Sequence, residues 1–82
     1  MALNNNYLGP GEVLEIVEGL KRDKLAYWTN KNYIPREIEQ RGKRDYTYYH
    51  KKDIKLIQNA YQLIVVGGMK DKEAFERLKK SL

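Results

Sequence analysis

The chain contains no cysteine. Disulfides, cysteine zinc sites and thiol nucleophiles are therefore excluded. The single histidine, His50, cannot assemble a metal site without carboxylate help. Long hydrophobic runs are also missing. The longest, Leu63–Val66, is far short of the ~20 apolar residues that a membrane-spanning helix needs. The first residues, Met1 to Tyr7, are Asn-rich and uncharged, unlike a signal peptide. No internal repeat is visible. These absences point to a soluble chain in a reducing compartment.

What is present is compact and basic. Eighty-two residues make one small domain, and a chain of this size buries only roughly 60% of its unfolded surface. There are 16 Lys+Arg against 11 Asp+Glu, for a net charge of +5. Seven tyrosines, one Trp and one Phe are many for this length. Aromatic rings bury much area each, so they compensate for a thin core; they also stack well on nucleic acid. The charge is unevenly placed. Residues 1–40 carry five basic and six acidic side chains, whereas residues 41–82 carry eleven and five. A local basic cluster stands earlier, at Lys21, Arg22 and Lys24. Such patches attract phosphate backbones, anionic membranes or acidic proteins, and otherwise serve only as a solubilising surface.

Residues 1–10 are expected to be a flexible tail closed by the Gly9-Pro10-Gly11 turn, with the folded domain spanning 11–82. Val13, Leu14, Ile16, Val17 and Leu20 predict a short amphipathic helix over about 12–18. Glu12, Glu15 and Glu18 fall on its other face, where a solvated surface explains them better than an acid–base cluster. Gly19 ends the helix, and a second runs from about Arg22 to Lys31 with Leu25 and Trp28 on one face. Pro35 disfavours helix at Ile34 and closes that segment. Arg36–Gln40 and Asp45–Tyr49 read as two strands joined by a basic turn, Arg41-Gly42-Lys43-Arg44. Three cations on one turn repel each other unless a polyanion sits there. Tyr46, Tyr48 and Tyr49 are expected to pack the hairpin onto the helices. A third helix runs from near Lys51 to Val65, with Ile54, Ile57, Tyr61 and Ile64 inward, and stops at Gly67-Gly68. A last helix covers about Asp71–Ser81, with Ala74, Phe75, Leu78 and Leu82 as its apolar face and Asp71 near its positive end. The expected fold is mainly α with a small β-hairpin, in the order α-α-β-β-α-α: a winged helix-turn-helix.

Three stretches carry a family resemblance over roughly residues 11–80. Leu14–Pro35 has Gly19-Leu20, Leu25, Tyr27-Trp28 and Ile34-Pro35 in order. Tyr46–Ile54 has Tyr46, Tyr49, Asp53 and Ile54. Gly68–Leu78 supplies a loop and short helix. Together they resemble the MerR-like winged-helix domains of bacterial transcription regulators. The chain departs from that pattern at Lys21, where the family has Ser or Thr, and at Asp23 and Ala26, where it has Arg. Asp45-Tyr46-Thr47 replaces the family's Gly-Tyr-Arg. The fold therefore carries over better than the contact residues.

The resemblance implies a DNA-binding domain with a recognition helix in the major groove and a basic wing on the adjacent backbone or minor groove. Its expected contact residues are Lys21, Arg22, Lys24, Tyr27, Arg41, Lys43, Arg44 and Lys51. The expected partner is double-stranded DNA, with no membrane, no cofactor and no metal, and the expected location is the cytoplasm, at the nucleoid. No nucleophile–base pair, metal-ligand set or phosphate loop suggests an enzyme. Two alternatives stand beside this: a winged-helix protein-interaction module, favoured by Asp23 and Ala26, and a small phage or mobile-element factor. Family members usually continue into a dimerisation helix, so a homodimer through a segment beyond Leu82 is expected if the chain is a fragment.

Overall fold

The first thirty residues must bury Val13, Val17, Leu20, Leu25 and Trp28, and two short helices with the turn between them do it. The computed structural model describes residues 6–80. Helix α1 spans Pro10–Ile16 and α2 spans Arg22–Asn30. Pro10 suits the first turn of α1, where its missing N–H costs nothing. Glu12 accepts a hydrogen bond from the Gly9 N–H at 3.0 Å, so this carboxylate caps its own helix. Glu15 and Glu18 are exposed, as a solvated face requires. Gly19 makes the turn between the helices at φ 89. A Cβ there would collide with the Tyr61 hydroxyl, so both backbone and space demand glycine.

Helix α2 ends earlier than Pro35 would dictate. Asn32 adopts φ 61, and the Tyr33 N–H reaches back to the Trp28 carbonyl at 3.0 Å. This is a left-handed helix terminus, with Asn in the place often taken by Gly. Arg36 secures it by donating to the Thr29 carbonyl at 2.9 Å.

The hairpin consists of β2 (Glu37–Arg41) and β3 (Arg44–His50). Arg41 faces Arg44 across the two-residue turn, and Gly42 holds φ 60 as a type II′ turn requires at its first central position. Side chains alternate between faces. Tyr46 and Tyr48 therefore lie on one face and Tyr49 on the other. Tyr49 is buried, and its hydroxyl meets Thr29 Oγ1 at 2.7 Å. Tyr46 is 38% exposed, so it does not pack the hairpin onto the helices as expected. Tyr48 is half-buried on that same outer face.

The expected tail is a further difference. Residues 1–5 lie outside the described residues, but Tyr7–Leu8 form β1, which pairs antiparallel with β3. The sheet order is β1-β3-β2, and Leu8 enters the core. Backbone pairing holds this strand, including a 2.8 Å bond from the Lys51 N–H to the Asn6 carbonyl.

A 3-10 turn at Lys51–Asp53 leads into α3 (Ile54–Tyr61), which continues as a π-helical turn over Gln62–Val66. The His50 ring caps the start by accepting from the Lys52 N–H at 3.1 Å. Gly67 sits where a Cβ would come within 2.8 Å of the Leu63 carbonyl. Helix α4 spans Asp71–Lys80, with Ala74 and Phe75 buried. Ser81 and Leu82 lie outside the described residues. The result is a mixed α/β, mostly helical unit: four helices and a three-stranded antiparallel sheet among the described residues. One core joins residues from Leu8 to Phe75.

The two glycines of the first helical pair should respond oppositely. Gly19→Ala should lower stability by about 1–3 kcal/mol, from a positive φ and contact with Tyr61. Gly11→Ala, in α1 with nothing within 4 Å of its added methyl, should raise it by about 0.5 kcal/mol. Urea denaturation of both variants checks the pair.

Candidate nucleic-acid interface

Burying Leu25, Trp28 and Thr29 leaves the opposite side of α2 to solvent. That side carries Arg22, Asp23, Ala26, Tyr27, Asn30 and Lys31, all exposed. Two grooves flank the helix. The first, of about 270 Å³, runs between Arg22, Ala26 and Asn30 on α2 and Thr47 on β3. The second, of about 730 Å³, opens between the start of α2 and the start of α4. Its walls carry Lys21, Asp23, Lys24, Tyr27, Lys70 and Lys72.

The eight expected contact residues divide into groups. Among the described residues, Lys21 and Arg22 at the start of α2, and Lys43 and Arg44 at the hairpin tip, make no ion pair. All four are exposed. Tyr27 is 44% exposed. The ammonium groups of Lys24 and Lys31 stand 5.9 Å and 5.8 Å from its ring centroid, at the outer limit of a cation–π contact. The Tyr27 ring therefore sits within a basic setting.

Lys24 and Arg41 are committed elsewhere. Lys24 Nζ lies 3.2 Å from Asp71 Oδ2 and 3.4 Å from Oδ1. The same carboxylate accepts from Trp28 Nε1 at 2.9 Å. The Lys24 side chain is 35% exposed and that of Asp71 17%, so water screens the pair in part. A pair of this kind contributes at most about 1 kcal/mol, which holds the lysine without locking it. Arg41 donates to Glu39 two residues back on the same strand face. It also donates to the Tyr48 hydroxyl at 3.4 Å and lies 5.3 Å from the Tyr46 ring centroid. The hydrogen bond and charge of Glu39 raise the Arg41 pKa further above its ordinary value. These contacts relieve the repulsion between Arg41 and Arg44, which face each other across the turn.

Lys51 stands apart. It follows β3 at the end away from the tip, and seven strand residues span about 20 Å. The structure does not bring it to the hairpin cations. Conversely, Lys70 and Lys72 share the second groove with Lys21, and neither was among the expected contacts. Their signal is in the sequence: a Lys-Asp-Lys triplet, Lys70 to Lys72, straddles the start of the last helix. Among the described residues no cluster of three or more His, Asp or Glu side chains could hold a metal ion. No described helix is long and apolar enough to cross a membrane.

Comparison with protein-family models, curated proteins and solved structures finds no match for this chain.

The Asp71 carboxylate serves two donors, and one of them belongs to a fully buried indole. Asp71→Ala should therefore cost about 1–3 kcal/mol, because the Trp28 N–H loses its acceptor. Asp71→Asn keeps an acceptor and should cost under half as much. Equilibrium unfolding followed by Trp28 fluorescence distinguishes the two variants.

Proposed function

We propose that this chain is a winged helix-turn-helix DNA-binding domain of a transcription regulator. In this reading α2 is the recognition helix and the β2–β3 hairpin is the wing. The observation that carries it is the placement of free cations. Lys21 and Arg22 lie at the exposed start of α2, and Lys43 and Arg44 at the tip of a hairpin whose β3 flanks the same helix. A helix with an exposed polar face suits the major groove, and a basic hairpin beside it suits the neighbouring backbone. The MerR-like assignment belongs to this reading and rests on the residue pattern quoted above.

Phosphate contacts come from Lys21, Arg22, Lys43 and Arg44, with Lys70 and Lys72 widening the footprint through the second groove. Four to six contacts imply a log–log salt slope between about −3.6 and −5.4 for duplex binding, at roughly −0.9 per phosphate. Base readout falls to Tyr27 and Asn30 on the open side of α2. Asp23, exposed beside these side chains, repels phosphate. A single copy covers one half-site, so its own affinity stays near the non-specific range.

A protein-interaction module is the second reading. The exposed apolar side chains of Ile16, Val65 and Val66 favour it. The two separate on one titration. Under the DNA reading, Lys43→Ala/Arg44→Ala should weaken duplex binding and flatten the salt slope by about 1.8. Unchanged affinity and slope would remove the hairpin from the interface. No duplex binding by the parent chain at low salt would favour the interaction module instead.

A further inference from the structure

The groove between α2 and α4 contains four lysines, Lys21, Lys24, Lys70 and Lys72, and so looks like a strong phosphate site. One of them is already occupied. Lys24 is bound by both oxygens of Asp71, at 3.2 Å and 3.4 Å, which is how it would meet a phosphate. Asp71 cannot easily swing aside, because Trp28 Nε1 anchors its Oδ2 at 2.9 Å and Trp28 is fully buried. Asp23, in the same groove, has no hydrogen-bond or ion-pair partner among the described residues. The two aspartates are therefore not equivalent. Asp23 only adds negative charge to the groove, whereas Asp71 takes a lysine from it.

We propose that Asp71 is an internal competitor for phosphate: it holds Lys24 out of the phosphate-contacting set and so fixes how many phosphates this groove engages. This rests on the DNA-binding reading and deepens it. An arriving phosphate must draw Lys24 away from a carboxylate that the buried indole holds in place, while Lys21, Lys70 and Lys72 have no such partner among the described residues. Asp71 is thus a positioning residue with two effects. It ties α4 to α2 through Trp28, and it limits backbone affinity that carries no sequence information.

The experiment is a salt titration of mixed-sequence duplex binding by the full chain, with four variants: Asp71→Asn, Lys24→Gln, the double variant and Asp23→Asn. Asparagine keeps an acceptor for Trp28 and drops the charge that holds Lys24. Asp71→Asn should tighten binding at 0.1 M salt by roughly threefold to tenfold and steepen the slope by about 0.9, one added phosphate contact. Lys24→Gln alone should leave the slope unchanged, and in the double variant it should return the slope to the parent value. Asp23→Asn removes the same charge from the same groove and should leave the slope as it was. The proposal is overturned if Lys24→Gln alone flattens the slope, since Lys24 would then already be a contact. It is also overturned if the Asp71→Asn gain survives in the double variant, since general repulsion would then explain it. Should Asp71→Asn not fold, a flatter slope for Lys24→Gln on the parent chain still overturns the proposal. A parent chain that binds no duplex at low salt removes the DNA reading, and this inference with it.

Discussion

The position of α2 depends on Trp28. Its indole is fully buried and meets Phe75 of α4 edge-on, with centroids 5.2 Å apart. Tyr33, just past the end of α2, stacks on the same Phe75 ring at 4.9 Å. The indole N–H, which could not be buried without a partner, is satisfied by Asp71 at the first residue of α4. Aromatic packing and one charge-assisted hydrogen bond thus fix the same helix pair. In a domain of this size, with no disulfide to help, such rings supply much of the available burial. Both helices begin at the same groove as a consequence. The lysines of Lys21–Lys24 and Lys70–Lys72 are brought together by the core, from positions almost fifty residues apart.

A second constraint is charge. A surface with this many cations would repel itself without internal carboxylates, and two of those expected to contact DNA are so held. Arg41 has Glu39 on its own strand, and Lys24 has Asp71 on another helix. In the proposed reading, the cations left over at the start of α2 and at the hairpin tip bear the contact with phosphate. The basic composition therefore overstates the contact surface. Part of it is spent on keeping the hairpin turn and the α2–α4 groove from flying apart.

Helices and the hairpin turn were legible because their signals are local. The spacing of Val13, Val17, Leu25, Trp28, Ile57, Ile64 and Phe75 points them inward, and all are buried. Gly19 and Gly42 mark their turns by composition alone. What was not legible depends on partners distant in the chain. The strand at Tyr7–Leu8 has too few residues to show alternation, and it exists because β3 offers a free edge. Three neighbouring tyrosines were expected to pack alike, but strand alternation gives Tyr49 to the core and turns Tyr46 outward. Lys24 looked like its neighbours Lys21 and Arg22 in the sequence. Only the fold shows that Asp71 reaches it across 47 residues.

The central claim is that the start of α2, the hairpin tip and the start of α4 form one nucleic-acid surface. Amide chemical-shift mapping of the labelled protein with a mixed-sequence DNA duplex tests it most directly. The account predicts that shifts concentrate at Lys21–Tyr27, Gly42–Arg44 and Lys70–Lys72, and spare the exposed acidic side chains Glu15 on α1 and Glu18 in the turn after it. Shifts centred on α1 and the end of α3, or none at low salt, would contradict it.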